Sequence, residues 1–165
     1  MELPIHNDHG KPGRNGIVLR VDGLVDECLQ LTSADLRRLP QCEFTNDFTC
    51  LEGWTVPDIK WGGVLLEAVL SLAKPAAQAR YVQASAGEFS IPLRVDRVGR
   101  VLIATHLHDR ELPAEHGGPF RLVVPEGDCF MQIKWLDHLE LREEAGANTA
   151  ERIALGRLAA QKNVM

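Results

Sequence analysis

The sequence contains no Cys-x-x-Cys pair, so its four cysteines, Cys28, Cys42, Cys50 and Cys129, do not resemble a structural zinc site, and the haem-attachment form Cys-x-x-Cys-His is missing too. GxGxxG, the P-loop pattern, GxSxG and HExxH are all absent, which removes the usual support for dinucleotide-binding, P-loop, serine hydrolase and zincin chemistry. No apolar run approaches the roughly 18 residues of a membrane span. The first residues carry no basic segment, apolar stretch or twin arginine, so nothing there directs export and a cytoplasmic protein is the expectation. Basic excess is lacking as well. With 18 Lys and Arg against 23 Asp and Glu the net charge is −5, which argues against a nucleic-acid partner. What remains is a chain of 165 residues, 45% apolar and 25% charged, large enough for one substantial core.

Residues 1–16 are polar and rich in glycine, the pattern of an irregular N-terminal arm; within it His6, Asp8 and His9 form at most an adventitious chelating set. From Ile17 onward short β signals dominate: 17–21, 27–31, 80–85, 89–93, 100–105, 120–125 and 133–141, many separated by Gly, Pro or Asp. Helical signals are few. Thr32 and Asp35 have capping-box spacing ahead of a short helix that Pro40 ends, and 63–73 places Leu65, Val69 and Leu72 on one face before Pro75. Residues 148–162 open with Asn148 and Glu151 at N-cap and N3 spacing and read as a docking helix outside the core. The expected organisation is an arm (1–16), a domain (17–142) and a helical tail (143–165). Strands with few, irregularly placed helices do not fit a βαβ alternation and imply an α+β fold with a β-rich mixed sheet or barrel-like core.

Aromatics make up only 5% of the chain, so their placement is informative. Trp54 and Trp61 fall in the densest unusual segment, 47–70, together with Cys50, Glu52 and three glycines. Small residues let backbone approach a ligand, indoles wall a pocket, and a thiolate is a soft ligand suited to a transition metal. The plainer reading is that Cys50 is a small buried hydrophobe. A second segment, 111–136, supplies His116, Arg121 and Lys134 as donors to an anion around an HGGP turn whose N–H groups are candidates for exposure. Taken alone, such residues are more often solvated surface cations than an anion clamp. His106 and His108 alternate in THLHD, as a metal pair or as an exposed strand edge.

Together the segments resemble one family. Cys-Leu-Glu-Gly-Trp at 50–54, Trp-Gly-Gly-Val-Leu at 61–65, Tyr81-Val82, Ser-Ile-Pro-Leu at 90–93, the run His116 to Pro125, and Ile-Lys-Trp-Leu at 133–136 are similar, in order and spacing, to the molybdopterin-binding domain of the sulfite oxidase superfamily. The likeness spans roughly residues 17–141. It implies a sulfite oxidase type of fold and a molybdenum cofactor (molybdopterin), with Cys50 as the protein thiolate on the metal. It further implies that His116, Arg121 and Lys134 hold the cofactor, Arg121 on its phosphate, with Gln132 and Ile133 beside Lys134. Ser85 falls near another family contact whose usual Asp or Thr is missing. Glu52, two residues from the ligand position, joins Cys50 as a catalytic candidate.

The activity this resemblance implies is oxygen-atom transfer with a small-molecule oxo-acceptor or oxo-donor, electrons passing to or from a haem or cytochrome partner. Sulfite oxidases carry arginines four and five residues after the ligand cysteine; here those residues are Trp54 and Thr55. The Cys-x-Glu-x-Trp form is closer to the branch that includes bacterial methionine sulfoxide reductases. Two other readings stand beside it: a non-catalytic or degenerate molybdopterin-binding module without a complete substrate site, and a cysteine hydrolase pairing Cys50 with one of the six histidines.

Overall fold

Two five-stranded sheets organise the chain, described here from a computed structural model for residues 3, 5 and 18–163. Most of the expected arm, including His6, Asp8 and His9, lies outside the described residues. The first sheet has the order β2-β1-β10-β5-β6, built from β1 (Leu19–Gly23), β2 (Leu29–Leu31), β5 (Tyr81–Ala86), β6 (Phe89–Arg94) and β10 (His138–Arg142). β1 and β10 run parallel and the other pairs antiparallel, so the sheet is mixed. The second sheet has the order β3-β4-β7-β8, from β3 (Gln41–Thr49), β4 (Thr55–Leu65), β7 (Leu102–Leu107) and β8 (Arg110–Glu111), with β9 (Arg121–Val123) also paired to β7. This is the β-rich α+β fold that the strand signals predict.

Helix α1 (Ser33–Arg37) starts as expected, with the Thr32 hydroxyl accepting from the Asp35 N–H and the Asp35 carboxylate accepting from the Thr32 N–H. Helix α2 (Leu66–Ala73) buries Leu66, Val69, Leu70 and Ala73, whereas Leu72, expected on the inner face, is 43% exposed. The helix begins at Leu66 because β4 runs on through Leu65, which turns the buried face by about one residue. Helix α3 (Thr149–Lys162) is capped by the Asn148 side chain, which accepts from the Glu151 N–H. Its first turn is clasped to the first sheet: the Thr149 hydroxyl donates to the Glu88 carbonyl and accepts from the Ser90 N–H, and Gln83 and Ser90 both donate to the Ala147 carbonyl. Ala150 enters the main core, so the helix is tied into the body more closely than its sequence suggests.

Strands β4, β7 and β9 of the second sheet send side chains into two apolar clusters, one on each face. Val64, Ile103 and Leu122 join the main core with the first sheet and α2, while Trp61, Leu102, Ala104 and Val123 point the opposite way into a second cluster with Phe48, Val56, Ile59 and Leu112. Gly63 allows this sheet to close: a Cβ there would strike the Ile103 carbonyl, at the point where the β4–β7 register shifts. One sequence expectation changes: the strand expected over 133–141 begins only at His138, because Trp135 has φ of 55° and residues 129–131 form a 3-10 turn. Residues 41–65, which carry no strand among the sequence signals, form the β3–β4 hairpin.

Candidate functional site

Strand β9 alternates Phe120 and Leu122 into the main core with Arg121 and Val123 toward the second cluster, so an arginine occupies a position that the pattern reserves for an apolar side chain. Arg121 is 2% exposed. Its guanidinium lies 4.9 Å from the centre of the Trp61 ring and 5.6 Å from that of Phe48, and Nη1 donates to the His116 carbonyl at 2.9 Å. Nε is buried without a hydrogen-bond partner among the described residues, and burial lowers the pKa to about 10.

Lys134 follows in the irregular segment after the 3-10 turn. Its stem packs on Gly117, where a Cβ would come within 2.7 Å of the Lys134 Cβ and where φ is +99°, a conformation that glycine adopts readily. The register is fixed by Leu122 and Trp135 N–H groups donating to the Ile133 and Gly117 carbonyls. Burial, and secondarily the Arg121 charge, bring the Lys134 ammonium down to about 8; Nζ donates to the Glu115 carbonyl at 3.4 Å. Among the described residues neither cation forms an ion pair with a carboxylate. A buried cation beside a half-buried one is costly, and the arrangement is relieved by an anion.

Both cations border a cavity of about 360 Å³, a volume within the usual range of small-ligand sites. Cys50 faces the same cavity from a turn in which Gly53 N–H donates to the Cys50 carbonyl and Cys50 N–H to the Trp54 carbonyl. Burial pushes the thiol up to about 11, only partly offset by a Glu52 backbone N–H. A free thiolate is therefore disfavoured, and a bound cation is the natural means of deprotonating the sulfur. Glu52 also lines the cavity, one carboxylate oxygen accepting from the Trp54 indole N–H and the other from the Gln161 amide on α3.

Of the residues singled out from sequence, Cys50, Glu52, Arg121, Gln132, Ile133 and Lys134 border this one space, and Gln132 Oε1 is a second buried polar atom without a partner among the described residues. His116 and Ser85 do not. His116 contributes its carbonyl to Arg121, and Ser85 sits within the first sheet opposite His138 and Ser90. The HGGP N–H groups expected to be exposed are used inside their turn, those of His116 and Gly118 donating to the Pro113 carbonyl and that of Gly117 to the Ala114 carbonyl. His108 lies beyond the end of β7 with φ of 47°, so it shares no strand face with His106, and the described residues hold no cluster of three metal-ligating side chains. Sequence reasoning missed one whole wall: Ile153, Ala154, Arg157 and Leu158 of α3, with Phe89 and Phe130 beneath. Their spacing of one, four and five residues is a helix face, a signal present in the sequence.

A soft sulfur donor, two cations without carboxylate partners among the described residues and aromatic walls suit a phosphate-bearing organic cofactor carrying a soft metal. Residues 12–150 match the family described as oxidoreductase molybdopterin binding domain, and the chain belongs to it. Among curated proteins it is similar to the uncharacterized oxidoreductase YuiH of Bacillus subtilis, with 32% identity over 76% of this chain and 65% of that one. It is also similar to the catalytic subunit of the protein-methionine-sulfoxide reductase MsrP of Campylobacter jejuni, with 26% identity over 81% of this chain and 52% of that one. The chain thus spans between about half and two thirds of the length of these relatives. Among solved structures, the sulfane dehydrogenase SoxCD of Paracoccus pantotrophus shares the fold, with a TM-score of 0.72 and 24% identity over 78% of this chain and 38% of that one. No helix among the described residues is long and apolar enough to cross a membrane.

Proposed function

We propose that this domain is the molybdenum-pterin centre of an oxidoreductase that transfers an oxygen atom, with Cys50 as the protein ligand to the metal. The observation that carries the reading is the convergence of Cys50 with Arg121 and Lys134 on one cavity, the two cations having no carboxylate partner among the described residues. Arg121 and Lys134 are placed to hold the phosphate and pterin, and Gln132 Oε1 to accept from a pterin N–H. His116 acts through Arg121, fixing the guanidinium with its carbonyl. When bound, the cofactor supplies the two-electron oxygen-transfer chemistry. The chain's own residues orient it, exclude water with Trp54, Phe89 and α3, and place Glu52 as a proton acceptor at the cavity edge.

Trp54 and Thr55 stand where sulfite oxidases have arginines, which favours a neutral oxo-donor such as a sulfoxide over sulfite. A haem protein is the electron partner we propose, and a reducing compartment, the cytoplasm, suits four free thiols. The test is to purify the protein and Cys50→Ser from a host that makes the cofactor, measure molybdenum and pterin, and assay sulfoxide-dependent oxidation of a reduced dye. We expect molybdenum and turnover in the wild type and neither turnover nor full metal content in the variant. No molybdenum in either protein overturns the reading; cofactor without turnover in either direction favours a non-catalytic binding module.

A further inference from the structure

Cys129 lies on the 3-10 turn Cys129–Met131, 79 residues from Cys50 in sequence, and its Sγ is 3.9 Å from the Cys50 Sγ. Both side chains are half-buried and face the same cavity, and both stand on turns, not within a strand ladder. A disulfide requires about 2.05 Å between the sulfurs, so closure asks for an approach of about 1.9 Å shared between two turns. The remaining thiols are badly placed to compete. Cys42 is eight residues before Cys50 along β3 and its short extension, about 26 Å at the rise of a strand, and it borders a different cavity; Cys28 is exposed before β2.

We propose that Cys50 and Cys129 form a reversible disulfide in the cofactor-free domain, a covalent lock that withdraws Cys50 from metal binding. The second half of this statement rests on Cys50 being the metal ligand; the first half does not. The oxidant is a peroxide. One thiol sulfur takes the terminal oxygen as the O–O bond breaks and the alcohol or water leaves; the second sulfur then attacks that sulfur, forming the S–S bond and releasing water. Two electrons pass from the two sulfurs to the peroxide, and the two thiol protons end in the released water and alcohol. A dithiol reverses the step. Once Cys50 is bound to metal it is no longer available, so the lock belongs to protein awaiting its cofactor.

The test is to treat cofactor-free protein with one equivalent of hydrogen peroxide, alkylate without reduction, digest and analyse by mass spectrometry. The expected result is a peptide pair joined through Cys50 and Cys129, lighter by two hydrogens, with Cys28 and Cys42 alkylated, and loss of the pair on adding dithiothreitol or in Cys129→Ser. Alkylation of both Cys50 and Cys129, or a cross-link involving Cys28 or Cys42 instead, overturns the proposal. Molybdenum uptake in cofactor reconstitution should fall at least severalfold in the cross-linked protein and return after dithiothreitol. If Cys50→Ser takes up molybdenum with a sulfur shell equal to that of the wild type, the ligand reading fails while the cross-link stands.

Discussion

Arg121 and Lys134 are the residues whose environment makes least sense in an isolated domain. Arg121 is held out of water and Lys134 half out of it, neither with a carboxylate partner among the described residues, so each destabilises the empty protein and gains on binding an anion. Replacing Arg121 with Met is therefore expected to cost the empty domain little, within about 1 kcal/mol of the wild type, while losing a charge-assisted contact worth about 1.5–3 kcal/mol. That corresponds to a cofactor content lower by roughly ten- to a hundredfold at limiting supply; thermal unfolding and pterin analysis of the same preparations check both halves. Lys134 adds a pH signature. Its pKa in the empty domain is about 8, below the ordinary lysine value of 10.5. An anion needs the ammonium charged, so above pH 8 binding must first take up a proton and affinity falls. Calorimetric titration with sulfate, which does not itself titrate, should show weaker binding at pH 9 than at pH 7, and Lys134→Gln should remove most of that difference. Equal affinities in the wild type at both values contradict the assignment.

At the scale of elements, two connections position the site: the turn around Gly117 and the clasp of α3. The Lys134 stem lies against Gly117, so Gly117→Ala forces a methyl into that stem and into a positive φ. Overpacking and backbone strain together cost about 1–3 kcal/mol, and cofactor retention should fall with stability, measured by denaturant unfolding and metal content. Thr149 holds α3 by two hydrogen bonds, to Glu88 and Ser90. Thr149→Val should lower stability by about 1–3 kcal/mol and make the chain easier to cleave by protease near residues 143–148. The helix caps were legible in the sequence because they depend on residues three apart. The hairpin β3–β4 was not. Cys42, Phe44, Asn46 and Phe48 alternate inward with exposed Gln41, Glu43, Asp47 and Thr49, a period-2 signal masked by few β-branched residues, and β4 carries Pro57, Asp58 with φ of 55° and Gly62-Gly63, residues that usually punctuate strands.

For the molecule as a whole, the cavity is assembled from segments that are distant in sequence: the Cys50 turn, β9, the stretch 129–135 and α3. The order of the motifs identified the family because each motif retains its local chemistry. That Cys129 approaches Cys50, that Trp61 lies beneath Arg121 while Trp54 and Trp135 face the cavity, and that α3 forms a wall are consequences of packing two sheets and a helix, which no local pattern encodes. The same geometry separates residues that share a motif: His116 and Arg121 are five apart, yet only Arg121 reaches the cavity. The site is thus a thiol, a buried arginine and a half-buried lysine facing one space, and its central claim is that the thiol binds the metal. X-ray absorption at the molybdenum edge on wild type and Cys50→Ser, at matched metal content, tests this most directly. The wild type should show one more sulfur in the metal's first coordination shell than the variant; the same sulfur count in both would contradict the account.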